Sequence, residues 1–483
     1  MQPTDLARSK SFIPPAFSSA NVTLDKHRVA VLPFVNLSPD SQDEFFADGL
    51  TEELIDRLCQ VRELEVIART SIMTYKKKET KASEIGKELK AGSLVEGSVR
   101  KAGNKIRVTA QLIDANTEGH LWSSRYDRNL EDIFEVQSDI AEKVAEGLRV
   151  ELLPEEKKAI EKKTTENTDA YTLYLKGRHQ WNERTEEGLR KAIIYLELAI
   201  EADPKYAIAY ALLADSYAIL ANYGILQSRE ALATARKFAQ KALQLDSNLS
   251  EVHSAMANVL SNEWKLNESL DEQRKAIELN PKNASARHRY AISLALSGKG
   301  EWALNEIRRA KELDPLSPVI NTCVGSTLYG LRRYEEAIKE LEESLKFNPD
   351  FYSLFDYLGL ALIKASKFDE GITKLQKALV LSGNSDSMRA DLAVGYALSG
   401  REKEATKILD ELVELKKTKY VSPVILAVIN AALERRDEAL RWLEIAQQER
   451  SSQLTYIIID PVFLDALGSE PRFLAIIDEM RKD

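Results

Sequence analysis

The strongest constraint on this chain is a period. Asn280-Pro281, Asp314-Pro315 and Asn348-Pro349 recur 34 residues apart, and Asp246-Ser247 and Ser382-Gly383 continue the frame on either side. The residue before a proline is driven out of the α region, so each of these steps ends a helix. Small residues hold the same phase in three columns. The first is Ala257, Ala291, Gly325, Gly359, Ala393 and Ala427; the second is Ser269, Ala303, Ala337, Gly371, Ala405 and Ala439; the third is Ala276, Ala310, Ser344, Ala378, Leu412 and Ala446. A small residue on one helix and another twelve positions on let two antiparallel helices cross with their backbones close together, and a third lets the next pair pack in. One such pair cannot bury its apolar face alone, so the units must stack on one another.

This pattern resembles the tetratricopeptide repeat (TPR), in strict register over residues 250–453. Two looser units precede it. Gly177, Ala192, Ala199 and Pro204 fit the columns with three extra residues around Asn182-Glu183-Arg184. Ala214, Ala235 and Ala242 fit with nine extra around Asn222-Tyr223-Gly224-Ile225. Both inserts are expected to be exposed loops. Residues 169–453 then make about eight repeats, and 454–483, with apolar clusters at 457–464 and 473–477, are expected to cap the open end.

Residues 28–150 follow a different pattern. Arg28 to Phe34 reads as a short buried strand, and Phe45, Phe46, Leu50, Leu54, Ile55 and Leu58 as one stripe of a helix. Its acidic pairs Asp43-Glu44 and Glu52-Glu53 are expected to favour the helix N-terminal part through the dipole. Leu64–Arg69 reads as a second strand and Ala82–Leu89 as a second helix. From Ser93 the period falls to two, and turns at Ala102-Gly103-Asn104 and Asn116–Gly119 divide an antiparallel three-stranded meander. A helix over 133–148 closes the segment.

The stretches VAVLPFVNLSPD, EFFADGLTEELIDRL, VIARTS, LVEGSVRKAGNKIRVTAQLIDANTEGHLWSSRYDR and DIFEVQSDIAEKV resemble the TolB-like, or FlgO-like, domain. That resemblance implies an α/β domain with a mixed sheet and flanking helices, followed by an all-α TPR superhelical solenoid. Such domains often follow an effector, either a winged-helix DNA-binding domain or a class III nucleotide cyclase. Here only 27 residues precede the first strand, so residues 1–27 are expected to be a flexible lead, with no room for an effector. Residues 151–168 are expected to be a charged linker.

Charge and motifs narrow the chemistry. The net charge is −9, and the parts before and after residue 165 hold 25 basic against 28 acidic and 42 against 48 residues, so neither offers the electropositive face that nucleic acid requires. Cys59 and Cys323 stand alone and read as small apolar core residues. His27, His120, His179, His253 and His288 lack metal-ligand spacing, and no Walker loop, Rossmann fingerprint or nucleophile elbow occurs. Lys76-Lys77-Lys78 reads as a solvated loop. With no secretory apolar run or membrane-length segment, a cytoplasmic protein without cofactor or metal is expected.

If the repeat geometry holds, the first helix of each unit lines a groove. Its positions carry Glu251, Ser254, Asn258 and Asn262, then Ser285 and His288, then Thr322, Ser326 and Tyr329, then Ser353, Asp356 and Lys364. A mixed polar groove with an aromatic residue suits an extended peptide or partner helix. The expected function is therefore non-enzymatic: a protein–protein interaction scaffold or sensory and regulatory module in bacterial signalling, with homo-oligomerisation left open. The alternatives are the regulatory portion of a nucleotide cyclase or of a DNA-binding transcriptional regulator.

Overall fold

Val29, Ala30 and Val31 are fully buried, as an interior strand covered on both faces requires. In the computed structural model, which describes residues 23–481, they belong to β1 (Arg28–Val31). With β2 (Val35–Asn36), β3 (Glu65–Val66), β4 (Ser93–Ala102), β5 (Lys105–Asp114) and β6 (Gly119–Asn129) it forms one mixed sheet ordered β3-β1-β4-β5-β6, with β2 beside β4. β1 pairs parallel with β3 and β4, whereas β4, β5 and β6 form the antiparallel meander that the alternation from Ser93 predicts. The second predicted strand is short, and its last residue, Arg69, instead opens a helix.

Four helices accompany the sheet: α1 (Glu44–Cys59), α2 (Arg69–Met73), α3 (Ala82–Leu89) and α4 (Ile133–Gly147). α1 and α4 pack on each other and on the strands, and Leu50, Leu54, Ile140 and Val144 fill the layer between. The linker expected over 151–168 is instead partly folded. Pro154 at the first turn and the bond from Leu153 N to Glu156 Oε2 (2.8 Å) start α5 (Pro154–Glu161). Its Ile160 is buried in the α/β core. Most of the expected flexible lead, residues 1–22, lies outside the described residues. Leu24 is pinned to the sheet by Asn116, whose Oδ1 accepts from Leu24 N at 2.8 Å.

Sixteen helices then pair into eight successive hairpins: α6 (Thr168–Asn182) with α7 (Glu186–Ala202), α8 (Ala207–Asn222) with α9 (Ser228–Leu245), α10 (Ser250–Asn262) with α11 (Leu266–Leu279), α12 (Ala284–Leu296) with α13 (Gly300–Leu313), α14 (Pro318–Gly330) with α15 (Tyr334–Leu345), α16 (Tyr352–Lys364) with α17 (Phe368–Leu381), α18 (Asp386–Leu398) with α19 (Glu402–Leu415) and α20 (Pro423–Ala432) with α21 (Arg436–Gln448). This is an all-α solenoid. The small columns sit where the helices cross: a Cβ on Gly325 would lie 2.5 Å from Leu341, and Ser269 Oγ donates to Ala257 O at 2.8 Å. The turn inside each unit carries its own period. Trp264, Gly298, Arg332, Ser366, Gly400 and Glu434 all have φ between 59° and 79°. Their side chains share nothing, so this backbone column leaves no trace in residue type.

The array does not hang free of the α/β domain. Ala68 N donates to Leu313 O (2.9 Å), Lys282 Nζ to Arg62 O (3.0 Å) and Arg28 Nη2 to Glu312 O (2.5 Å), while Leu316 joins the α/β core. The acidic pair Glu52-Glu53 does not serve the helix dipole. It lies more than two turns into α1, buried against Arg178 of α6, which also reaches Asp56 at 3.0 Å. The lysine run is likewise not wholly solvated, since Lys76 pairs with Glu44 (2.7 Å) and Asp48 (2.5 Å).

Past α21 the chain forms a 3-10 turn (Ser452–Ile458), α22 (Pro461–Leu467) and α23 (Pro471–Met480). α22 packs on α20 and α23 on α21, while the 3-10 turn touches α21 and also reaches α8, α10 and α12.

Candidate functional site

The first helices of successive hairpins pack directly on one another, α8 on α10, α10 on α12, α12 on α14 and α14 on α16, and so form the inner wall of the array. The residues expected to line a groove fall along this wall, but in three different settings.

In the first setting, Asn258 and Asn262 join a polar layer. Asn258 Nδ2 donates to Asp215 Oδ1 (2.7 Å), Asn262 Nδ2 to Asn258 O (2.8 Å), and Asn222 Nδ2 to Asn262 Oδ1 (3.1 Å). Arg289 pairs with Asp215 at 2.5 Å and reaches Ser254 O at 3.4 Å. His288 is held neutral, its pKa pushed down to about 3 by burial and by the neighbouring Arg289 and Arg184.

In the second setting the side chains are engaged by the α/β domain or by their own helix. Glu251 faces the α/β domain, where burial and the nearby Asp56 raise its pKa. Thr322 and Ser326 bond back to their own helix, at Pro318 O (2.7 Å) and Cys323 O (3.2 Å).

In the third setting, Tyr329, Asp356 and Lys364 meet the C-terminal segment. Tyr329 is buried beside Tyr334 and Tyr357, at ring-centroid distances of 5.8 and 6.2 Å. Lys364 bonds Asp465, which Arg332 also holds at 2.6 Å. Burial opposes ionisation of Asp465, yet the bonds from Lys364 and Arg332 keep its pKa below the ordinary carboxylate value.

Asp356 has a different environment. Burial raises its pKa to about 7, and it shares its site with Asp391, raised further by burial and by the charges of Asp356 and Asp460. Asp460 itself is raised to about 6, again chiefly by burial. Among the described residues, Asp356 Oδ1 has no hydrogen-bond partner.

The inner wall is therefore covered by the chain's own C-terminal segment. Trp264 Nε1 donates to Ser451 O (3.1 Å), Ser452 Oγ donates to Ala221 O (3.2 Å), and Ser452 N donates to Ser228 Oγ (3.2 Å). Leu454, Ile457 and Ile458 are buried in one apolar cluster with Trp264 and Tyr329, and Ile459 packs on Leu270 and Leu294. The insert at 222–226, expected as an exposed loop, is partly buried, and Gly224 packs against Gln453.

Sequence reasoning missed Asp215, Arg289 and Asp391. Asp215 occupies the Asn258 column one unit earlier, so extending the columns past the insert would have found it. Arg289 and Asp391 share a different column, one residue beyond that of His288 and Asp356, and become inward-facing only once the helices are oriented. The segment's return across the wall is a long-range event with no local signal.

An α/β domain braced against a self-covered helical solenoid is the class these features define. A family model described as HilA/YgeH-like transcriptional regulator, second domain, matches residues 25–143. "Putative adenylate cyclase 3" of Rhizobium meliloti is 37% identical over 252 residues, covering 50% of this chain and 42% of that protein. "Transcriptional regulator HilA" of Salmonella typhimurium is 27% identical over 132 residues, 27% of this chain and 24% of that one. The chain thus spans less than half the length of either relative. Among solved structures, YrrB, described as a TPR protein with an unusual peptide-binding site, is 22% identical and covers 39% of this chain and 93% of its own, with a TM-score of 0.28. Among the described residues, no helix is long and apolar enough to cross a membrane.

Proposed function

We propose that this chain is a non-enzymatic regulatory scaffold of bacterial signalling, acting in the cytoplasm. Residues 28–150 form a TolB-like domain, residues 169–453 a TPR array, and the array's inner wall receives a partner polypeptide. The single observation that supports this most is that the wall already holds a polypeptide, the segment from Ser451 to Asp465, by hydrogen bonds, apolar contacts and ion pairs together. A wall that binds one strand of protein has the chemistry to bind another.

The relatives favour a second reading, in which the chain is the regulatory portion of a cyclase or of a DNA-binding regulator. The relative named as an adenylate cyclase shares half of this chain, and the family model is that of a regulator's second domain. Cross-linking of the full chain in its native host, followed by mass spectrometry, tests the scaffold reading: cross-links joining α8–α18 to another protein are expected. Cyclic nucleotide made from ATP or GTP with magnesium or manganese, or a salt-dependent shift of DNA at nanomolar protein, would transfer support to the second.

A further inference from the structure

The two edges of the mixed sheet are treated differently. The β3 edge is short and is closed by the array, since Ala68, just past β3, donates its N–H to Leu313 O (2.9 Å). At the other edge β6 runs for 11 residues and, among the described residues, pairs with β5 alone. Its backbone alternates between β5 and the open side. Leu130 N donates to Asn104 O (2.9 Å), which turns Leu130, and with it Arg128, Tyr126 and Ser124, toward β5. Ser123, Arg125, Asp127 and Asn129 therefore turn their N–H and C=O groups outward. Two side-chain bonds fit this phase: Arg128 Nη1 donates to Asp127 O (3.0 Å), and Asn129 N donates to Asp132 Oδ2 (3.3 Å). The outward N–H groups of Ser123, Arg125 and Asp127 have no such partner among the described residues. The β-bulge that could blunt this edge lies at its N-terminal end. Leu112 faces Trp122 and Ile113 faces His120, so Leu121 is the extra residue and 122–129 keep an unbroken register. A long edge with unpaired backbone groups is a template for another strand.

We propose that β6 pairs antiparallel with β6 of a second copy of this chain, about a two-fold axis at Tyr126, joining the two sheets into one. The charge pattern of the strand selects this occupant and this register. Across the new ladder an outward-turned residue must face another outward-turned residue, so the axis passes through a residue and not between two. Centring on Arg125 or on Asp127 sets like charges opposite each other, and centring on Ser124 sets Asp127 against the bulged Leu121. Centring on Tyr126 sets Arg125 opposite Asp127 at two symmetry-related places, as a self-complementary contact requires. It also sets Ser123 opposite Asn129 and, one residue past the strand, Leu130 opposite Trp122, two apolar residues packed on the α/β core. Arg125 and Asp127 are more than half exposed and bond each other along β6 at 2.9 Å, with Arg107 of β5 also on Asp127 (2.5 Å). Both charges thus stand at the edge before a second strand arrives. Tyr126 itself turns inward and donates its hydroxyl to Asp139 of α4 (2.6 Å), which leaves the axis clear of its ring. Because the array docks at the β3 edge, this pairing is independent of what the inner wall receives.

Sedimentation equilibrium of the full chain is expected to show monomer and dimer in exchange at micromolar protein. Arg125→Asp and Asp127→Arg chains should each dimerise at least tenfold more weakly, because each sets like charges opposite each other at both places. An equimolar mixture of the two should recover the dimer, since the altered positions then face each other with opposite sign. Ser123→Pro removes one outward N–H, spares every charge and the pairing with β5, and should weaken the dimer as well. On the wild-type chain, the amides of Ser123, Arg125 and Asp127 should gain protection from hydrogen exchange as protein concentration rises, while those of Ser124 and Tyr126 stay unchanged. A wild-type chain that remains monomeric overturns the proposal, as does a dimer whose outward amides gain no protection. So does a mixture no more dimeric than either variant alone, when both variants keep the wild-type circular dichroism. If a variant fails to fold, the alternating exchange pattern of the wild-type chain decides by itself.

Discussion

Asp314 Oδ1 accepts hydrogen bonds from both the backbone N (2.7 Å) and the Oγ (2.5 Å) of Ser71, and the same hydroxyl accepts from Leu316 N at 2.8 Å. Asp314 belongs to the column of residues that mark the repeat, so the step that ends α13 also docks the α/β domain onto the array. Replacing Asp314 by alanine orphans the Ser71 donors and should cost about 2 kcal/mol. Hydrogen exchange over 68–74 should quicken while β4–β6 keep their protection. Unchanged exchange at 68–74 would show that the two parts are held together elsewhere.

Arg178 is the counter-charge for the buried acidic face of α1. It pairs with Glu52, with Glu53 at 3.3 Å and with Asp56 at 3.0 Å. Burial already raises Glu53 to about 7 despite this arginine. Arg178→Gln should therefore destabilise the chain by about 3 kcal/mol, because removing one partner strands buried charge. Denaturation at pH 5 and pH 8 checks this: the loss should be smaller at pH 5, where Glu53 is protonated.

Asp356 and Asp460 have pKa values of about 7 and about 6 with the segment seated, with Asp391 raised beside them, against about 4 for a solvated aspartate. The seated form binds more protons than the released one. Its stabilisation is complete below about pH 4 and is lost as pH rises through about 6 to 7. Protection of amides at 456–460, taken relative to the intrinsic exchange rate at each pH, should fall between pH 5 and pH 8, and an Asp391→Asn chain should show a smaller fall. Lower protection at the acid end would contradict the raised pKa values of these carboxyls.

Gly359 sits in the first small column with no room for a side chain. A Cβ there would lie 2.6 Å from Leu375 and 2.9 Å from the backbone oxygen of Gly371. Alanine ordinarily gains up to about 1 kcal/mol over glycine inside a helix. Here the clash with backbone should reverse the sign, giving a net loss of about 1–2 kcal/mol in urea denaturation. A gain in stability would mean that α16 and α17 can separate without cost.

The hairpins were legible because proline and small residues act locally, and each column repeats the same steric demand. The meander was legible for a similar reason, since a two-residue alternation records which face is covered. Less was legible where one residue's role depends on a distant partner. Glu52 and Glu53 read as acids favoured by the helix dipole until Arg178, more than a hundred positions on, is brought against them. The 151–168 stretch looks like a linker until Ile160 finds the α/β core. Of the groove residues, the periodicity placed Asn258, Asn262, Tyr329, Asp356 and Lys364 on the inner wall. It carried no information about Thr322 and Ser326 spending their hydroxyls on their own helix.

The sequence by itself determined the units: a sheet-forming segment, then helix pairs of fixed length that must stack, because each exposes an apolar face it cannot bury alone. Only the tertiary structure decided what the stack encloses. Residues 451–465 return to the inner wall, and Ser71 meets Asp314, through contacts spanning more than two hundred positions. Such contacts depend on the summed rotations of many hairpins. No local pattern of residues encodes that sum, and so the same repeat that announces the fold is silent about whether its groove stands open or filled.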